Sequence, residues 1–347
     1  MFRQSREGGN PSRIGRRAVL SLAGAVAASR ARAAETIRLG LLHTLSPAPF
    51  YLAQARGFFT DAGVDVQFRY FEAAQPIAAA AVAGDIDVGV TALTGGFFSL
   101  AGKGELKVIG GALHEQKGFD LTAVLVSNKA YEAGLTSLDK LGGHSFGITQ
   151  YGSSFHYMIG RLAEIVGFDA KSVTLRPLQQ IANMIAAVRS SQVDATMAIA
   201  SMAQPAAASG EVHIIGWVGD YVPYQITALF TTRRMIDGHA AALHAFCRGY
   251  QRGVAEYRAA FLRFDPQGKP SYAAGTDAAI ASLQKYVFIG DPNAAEKIKS
   301  GIGWYDEGGA LDVADVRAQL AWFRDQGLVK EKINPADIID TSFLPQR

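Results

Sequence analysis

The chain has 347 residues, of which 49% are apolar and 10% aromatic, and its formal net charge is +3. This composition is typical of a well-packed globular protein and excludes a disordered one. Seven arginines and one glutamate in residues 1–34 account for +6 of the net charge, which leaves −3 for the rest of the chain. A mildly acidic remainder argues against nucleic acid and against an anionic membrane surface as partners.

The first 34 residues have the composition of an export signal. Arg16 and Arg17 precede an apolar run over residues 18–28, which is too short to span a bilayer. Residues 31–33 fit a small-residue cleavage site, so we expect cleavage near Ala33 and export, most simply to a bacterial periplasm. The paired arginines resemble the twin-arginine type of signal, and an ordinary secretory signal with a chance pair is the alternative.

The next segment predicts alternating strands and helices. Ser46 as N-cap and Pro47 at the first helical position predict a helix that ends near Gly57. Apolar residues alternate over residues 64–70, as they do in a half-buried strand. The predicted strands cover residues 36–42, 64–70, 86–90 and 107–111, and the predicted helices cover residues 46–56, 73–83 and 97–101.

The same pattern recurs at an offset of 107 residues. Ser46 falls on Ser153 and Asp87 on Asp194 at this offset. The second copy predicts strands over residues 145–148, 173–175 and 193–198 and helices over residues 153–166 and 181–190. One such unit cannot cover both faces of its sheet, so two copies predict two similar α/β lobes. Ligands of open α/β sheets lie beyond the carboxyl ends of the strands, so facing lobes would form a cleft there.

The remaining segments join and back the two lobes. Strands are predicted over residues 121–126, 212–217 and 225–231, and helices over residues 239–261, 276–287, 294–302 and 313–325, which would back the first lobe. No low-complexity linker interrupts the chain, so two crossing strands are expected to form a hinge. We predict lobe I over residues 35–117 and 228–347 and lobe II over residues 118–227, each a mostly parallel sheet flanked by helices.

Residues 49–68, "PFYLAQARGFFTDAGVDVQF", resemble the opening of solute-binding proteins of the nitrate/sulfonate/taurine type of ABC importer. Residues 78–90, "AAAAVAGDIDVGV", and residues 137–148, "SLDKLGGHSFGI", resemble two further elements of that family. His144 stands where the family usually has Lys, and residues 199–202 replace its frequent Trp-x-Pro. The resemblance implies a two-lobed periplasmic binding protein of type II-like α/β fold. It also implies ABC permease subunits in the inner membrane as partners.

Four loops are predicted to meet in the cleft, over residues 43–49, 91–96, 150–156 and 198–202. Ser46 and Ser153 would begin helices whose free N–H groups attract an anion, although both serines could simply be helix caps. Gly152 would let the backbone approach a ligand closely. The candidate ligand-binding residues are Thr44, Ser46, Phe50, Thr91, Thr94, Gln116, Tyr151, Gly152, Ser153, Ser154, His156, Ser201 and Tyr221.

The residue types in these loops indicate the class of ligand. None of the four loops contains Lys or Arg, which disfavours a bare, strongly hydrated anion such as nitrate. Hydroxyls and aromatic rings favour an organic ligand with an apolar or ring body and one polar or anionic end. A sulfonate, an aromatic carboxylate and a pyrimidine-like compound all fit this description.

The sequence contains no motif of a hydrolase or of a metal site, and we predict no catalytic residue, no metal and no cofactor. Cys247, the single cysteine, is interpreted as a core residue, and Asp87 and Asp194 as structural hydrogen-bonding groups. The preferred hypothesis is a monomeric solute-binding protein that closes around its ligand. One alternative is an enzyme like the thiamine-pyrimidine synthases, whose family carries adjacent cysteines. The other is a binding protein that reports its ligand to a membrane receptor.

Overall fold

The structure is a computed structural model, and it describes residues 34–266, 271–272 and 275–347. The predicted export signal, with Arg16, Arg17 and the cleavage site near Ala33, therefore lies outside the described residues. Ala34–Arg347 form one compact unit. Within the described ranges, no helix is both long enough and apolar enough to cross a membrane.

Strands and helices alternate along most of the described chain. The strands are β1 (Glu35–Leu42), β2 (Val64–Phe71), β3 (Val88–Thr91), β4 (Leu106–Gly111), β5 (Leu113–Glu115), β6 (Thr122–Ser127), β7 (Ser145–Ile148), β8 (Thr174–Pro177), β9 (Ala195–Ile199), β10 (Val212–Trp217), β11 (Tyr224–Gln225), β12 (Ala228–Thr232) and β13 (Trp304–Tyr305). The helices are α1 (Ala48–Ala55), α2 (Phe58–Ala62), α3 (Ala74–Ala83), α4 (Gly95–Gly102), α5 (Asn128–Glu132), α6 (Ser154–Val166), α7 (Ile181–Arg189), α8 (Ala200–Ala208), α9 (Val218–Tyr221), α10 (Arg233–Phe261), α11 (Thr276–Leu283), α12 (Ala294–Ser300) and α13 (Val313–Asp325).

Two five-stranded sheets have the same topology. The first has the order β2-β1-β3-β12-β4, and the second has the order β8-β7-β9-β6-β10. In the first sheet β1 is parallel to β2 and β3, and β12 is antiparallel to its neighbours β3 and β4. In the second sheet β7 is parallel to β8 and β9, and β6 is antiparallel to β9 and β10. Each sheet is therefore mostly parallel with one antiparallel strand.

The structure confirms the repeat that the sequence predicts. The helix α3 begins at Ala74 and α7 at Ile181, and the strand β3 begins at Val88 and β9 at Ala195. Both pairs are separated by the predicted offset of 107 residues. The α/β fold with two sheets flanked by helices thus arises from two copies of one unit.

Asp87 and Asp194 perform the same structural task in the two copies. Asp87 accepts hydrogen bonds from the backbone N–H of Arg38 at 2.9 Å and from its guanidinium at 2.7 and 2.9 Å. Asp194 accepts from the backbone N–H and the hydroxyl of Ser145, both at 2.8 Å. Burial alone would raise the pKa of both carboxyls, but these bonds outweigh it and hold each pKa below its ordinary value. The structural interpretation of both residues is confirmed.

A small third sheet, of order β11-β5-β13, lies where the chain crosses between the predicted lobes. The strands β5 and β11 are antiparallel, with Glu115 opposite Tyr224 and His114 opposite Gln225. All strands of the first large sheet fall in the residues predicted for lobe I, and all strands of the second fall in those predicted for lobe II. The exact lobe boundaries stay a prediction.

The C-terminal helices cover more than the first lobe. The long helix α10 packs against α1, where the rings of Phe50 and Tyr250 stack with centroids 4.3 Å apart. However, α13 also contacts α6 of the second repeat, where Trp322 Nε1 donates a 3.0 Å hydrogen bond to Glu164. Cys247 is buried in α10, and burial raises the pKa of its thiol to about 12, as expected for a core residue.

Candidate functional site

A cavity of about 70 Å³ lies between the two large sheets. This volume is well above the ~10–15 Å³ that one water molecule needs. Its walls come from segments that follow β1, β2, β3, β7 and β9, so it lies at the carboxyl ends of strands from both repeats. Leu113 of β5, Thr122 of β6 and Thr227, which precedes β12, also line it. We call this space the main cavity.

The structure brings the four predicted loops together at the main cavity. Each of them contributes at least two residues to its wall. The reason is the repeat itself, because the carboxyl ends of equivalent parallel strands turn toward the same space when the two units face each other. The segments after β2 and β8 reach the cavity as well, through Ala73, Ala74 and Ile181, which were not among the predicted site residues.

Hydroxyl groups supply the polar part of the wall. They belong to Thr44, Ser46, Thr91, Thr122, Thr149, Ser153, Ser154 and Thr227. The Oγ1 atoms of Thr91 and Thr122 are buried and have no hydrogen-bond partner among the described residues. Buried polar atoms normally have a partner, so the Thr91 hydroxyl is available to a ligand, whereas the Thr122 hydroxyl lies beside the buried carboxyl of Glu115. Among the described residues that line the cavity, none carries a charged side chain.

Several helices begin at the main cavity, and α3, α7 and α8 are among those that lack a side-chain cap. The N-cap residues of α3, α7 and α8 are Ala73, Gln180 and Ile199, and none of these side chains accepts a hydrogen bond from its helix. The first N–H groups of a helix have no partner within the helix and carry partial positive charge. Helix starts with a positive field therefore lie at a wall that also contains apolar side chains, Phe155 and Met158 among them. At α8 one of these N–H groups is already used, because that of Ala200 donates a 2.7 Å hydrogen bond to the carbonyl oxygen of Leu121.

Five of the predicted ligand-binding residues line the main cavity: Thr44, Ser46, Thr91, Ser153 and Ser154. Ser153 also caps α6, because its hydroxyl accepts a hydrogen bond from the N–H of His156 at 3.4 Å. The predicted cap at Ser46 is wrong. The helix α1 begins two residues later, after Pro47, and has no side-chain cap. The Ser46 hydroxyl instead accepts a hydrogen bond from that of Thr44 at 3.4 Å.

The structure does not bring Phe50, Thr94 or Gly152 to the main cavity. Phe50 is buried in the core against α10, and the hydroxyl of Thr94 caps α4 by accepting from the N–H of Phe97 at 3.0 Å. Gly152 has a positive φ of 78°, which fits the conformational freedom expected of it, but its carbonyl oxygen accepts a hydrogen bond from Gly95 at 2.9 Å. Its backbone thus approaches another loop of the protein.

Tyr151, His156, Gln116, Tyr221 and Ser201 also lie outside the main cavity. Tyr151 is 57% exposed and contacts the edge of the His156 ring. His156 Nδ1 accepts a hydrogen bond from the N–H of Gly152 at 3.1 Å, and burial lowers the pKa of this side chain. Gln116 and Tyr221 belong to the crossing region, and Tyr221 is exposed. Ser201 lines a smaller adjoining cavity.

A buried acid lies next to the wall of the main cavity. Glu115 on β5 is fully buried, and burial raises the pKa of its carboxyl to about 8. It lies opposite Tyr224 and beside Thr122, whose hydroxyl belongs to the cavity wall. At neutral pH Glu115 is therefore mostly protonated and adds no negative charge beside the cavity.

Two facing repeats with a cavity between their carboxyl edges define the fold of the periplasmic binding proteins. An alkanesulfonate-binding protein, SsuA from Xanthomonas axonopodis pv. citri bound to MOPS, is similar with a TM-score of 0.69. The two chains are 16% identical, over 88% of this chain and 98% of that one. The chain belongs to the NMT1/THI5-like family, whose model matches residues 45–260.

Other solved structures share the same fold. The aliphatic sulphonate-binding protein SsuA from Escherichia coli has a TM-score of 0.66 and 18% identity, over 88% of this chain and 92% of that chain. The nitrate-binding protein NrtA from Synechocystis PCC 6803 has a TM-score of 0.65 and 14% identity, over 86% and 83%. These neighbours are periplasmic binding proteins rather than enzymes. By sequence similarity, no curated protein matches this chain.

Proposed function

We propose that the protein is the solute-binding component of an ABC importer and holds a small organic anion in the main cavity. The predicted export signal supports a periplasmic location, and permease subunits of the inner membrane would receive the ligand. The neighbours that bind sulfonates and nitrate support the general class. The ligand itself is inferred from the wall of this chain's own cavity.

One observation carries the proposal: the described residues around the main cavity combine hydroxyls, uncapped helix starts and apolar side chains, and none of those that line it is charged. Helix starts and hydroxyls donate hydrogen bonds, so they suit a sulfonate or carboxylate end. The apolar residues Phe155, Met158 and Ile181 suit the body of the ligand. A bare anion such as nitrate would leave this apolar surface uncovered. It would also find no charged side chain on the described wall to offset the cost of its dehydration.

The mechanism that we propose is closure of the two lobes around the ligand. A ligand that touches Thr44 and Thr91 from one repeat and Ser153 and Ser154 from the other favours the closed form, because only that form provides both sets of contacts. The permease would then recognise the closed, loaded protein. Cysteine chemistry finds no support, since Cys247 is buried in α10 away from the cavity.

The proposal is tested with a pair of compounds that differ only at one end. MOPS carries a sulfonate on a propylmorpholine body, and 4-(3-aminopropyl)morpholine carries an amine in its place. We expect MOPS, ethanesulfonate or benzoate to raise the thermal stability of the protein, by about 2.7 kcal/mol at a hundredfold excess over Kd. The amine should produce no stabilisation. If the amine stabilises as well as MOPS, or if no anion binds, the proposed ligand class is wrong.

A further inference from the structure

A second cavity of about 180 Å³ adjoins the main cavity, and we call it the outer chamber. Its wall includes His43, Ser201 and Phe288, together with Thr44, Ile199 and Met202, which also line the main cavity. The last three side chains therefore form the partition between the two spaces. Met202 has an unbranched, flexible side chain that adapts readily to a neighbour. A ligand in the main cavity that reaches this partition would meet a side chain able to move aside.

Ser201 supplies an unused polar group to the outer chamber. Its side chain is only 2% exposed, and its Oγ has no hydrogen-bond partner among the described residues. Gly301 packs closely against it, because a Cβ at position 301 would lie 2.8 Å from Ser201 Cβ and 3.1 Å from Ser201 Oγ. A buried hydroxyl normally has a partner in a folded protein, so this one points to a ligand group.

His43 gives the outer chamber a second polar side with a defined orientation. Its Nε2 lies 2.8 Å from the carbonyl oxygen of Tyr286, and its ring lies on that of Tyr70 with centroids 4.4 Å apart. A carbonyl oxygen only accepts, so Nε2 carries the hydrogen and Nδ1 of the neutral ring is an acceptor. Among the described residues that line the chamber, none is Asp, Glu, Lys or Arg. The chamber therefore suits an uncharged group that both donates and accepts hydrogen bonds.

We propose that the outer chamber is a subsite for the far end of an elongated ligand. The anionic end lies in the main cavity, an alkyl linker passes Met202, and an uncharged hydrogen-bonding end such as a hydroxyl reaches Ser201. This inference rests on the proposed function and narrows the ligand class to organic anions with a polar distal group. It also explains why a binding protein would keep a buried, unpartnered serine beside its ligand site.

The test compares hydroxyalkanesulfonates of increasing length with n-alkanesulfonates of the same number of non-hydrogen atoms. Binding is measured by titration calorimetry, with ethanesulfonate as the short probe. At the length that reaches Ser201, we expect the hydroxyl-ended compound to bind about tenfold more tightly than its alkyl counterpart. Ser201→Ala should remove this difference and leave the affinity for ethanesulfonate unchanged. Ser201→Leu, which fills the chamber, should weaken every long compound.

Ser209→Ala is the matched control, because Ser209 follows the other end of the same helix, α8, and lines neither cavity. It should behave as the wild type toward all probes. The subsite is refuted if ethanesulfonate binds but none of the longer compounds binds more tightly than it does. It is also refuted if Ser201→Ala leaves the affinity ratio between paired compounds unchanged. Failure of every sulfonate and of benzoate to bind refutes the proposed function and the subsite with it.

Discussion

The backbone N–H of Gly95 donates a 2.9 Å hydrogen bond to the carbonyl oxygen of Gly152. Gly95 begins α4, shortly after the first repeat's cavity residues Thr91 and Ala92, whereas Gly152 lies in the loop before α6 in the second repeat. The side-chain amides of Gln75 and Gln150 are also hydrogen-bonded to each other. Two polar contacts thus join the repeats beside the main cavity, where closure around a ligand would be stabilised.

Gly152→Ala is expected to weaken ligand binding through the backbone. Gly152 has φ of 78°, and an added Cβ would lie 3.7 Å from the Gly95 nitrogen, which is an ordinary contact. The substitution therefore strains the backbone by about 1 kcal/mol without a clash. If closure depends on this loop, affinity for MOPS should fall about fivefold in titration calorimetry.

Gly167→Ala is the control for this strain. Gly152 lies just before α6, and Gly167 follows the other end of that helix with φ of 95°. A Cβ added at Gly167 would have no atom within 4 Å beyond its chain neighbours. Both variants should lose similar stability in thermal unfolding, and only Gly152→Ala should lose affinity. Equal affinities would mean that the contact between Gly95 and Gly152 does not contribute to closure.

Ser153→Ala distinguishes two roles of the Ser153 hydroxyl, the cap of a helix and a contact to the ligand. Ser153 caps α6 and lines the main cavity, while Ser127 caps α5 by accepting from the N–H of Ala130 at 3.2 Å and lies outside that cavity. Each alanine variant should lose about 1 kcal/mol of unfolding free energy. Only Ser153→Ala should weaken MOPS binding, by about tenfold, because a hydrogen bond to a charged group is lost.

Ser153→Thr keeps the hydroxyl and the capping geometry, so it should recover most of the MOPS affinity. Calorimetry on the three variants, with unfolding measured in parallel, decides the matter. If Ser153→Ala and Ser127→Ala lose similar stability and Ser153→Ala keeps its affinity for MOPS, the Ser153 hydroxyl serves only as a helix cap.

The repeat could be predicted because the same local sequence pattern of strands, helices and turns occurs twice in the chain. Periodicity and turn residues depend on near neighbours, so the strands around Asp87 and Asp194 were recognisable at their common offset. The convergence of loops at the cavity followed from the rule for carboxyl ends of parallel strands. The starts of α3 and α7 obey the same rule, but Ala73, Ala74 and Ile181 have no polar side chain that would mark them as site residues.

The sequence could not predict which residues of these loops face the cavity, because their orientation depends on contacts with distant segments. Phe50 and Ser46 are four positions apart, yet Phe50 stacks on Tyr250 of α10 and only Ser46 lines the cavity. The start of α8 at Ala200 was also missed, since Pro205 within that helix makes its sequence look like a loop. Contacts made across some 200 residues leave no periodic signal in either segment.

Glu115→Gln is expected to change how stability depends on pH. The folded-state pKa of about 8 is far above the value of ~4.3 for an exposed Glu, so between these values the folded chain binds more protons than the unfolded one. The contribution of Glu115 to stability is thus greatest below ~pH 4.3 and declines as pH rises toward about 8, by up to ~1.4 kcal/mol per pH unit. Glutamine resembles the protonated acid and does not titrate.

Relative to the wild type, Glu115→Gln should therefore gain stability steadily from about pH 5 to about pH 8 in denaturant unfolding. Glu132→Gln, on the exposed side of α5, is the matched control and should follow the wild-type profile far more closely. Because Glu115 stays protonated at neutral pH, MOPS should bind Glu115→Gln and the wild type equally there. Parallel stability profiles for wild type and Glu115→Gln would instead mean that the buried carboxyl is ionised throughout, and MOPS would then meet a negative charge behind Thr122.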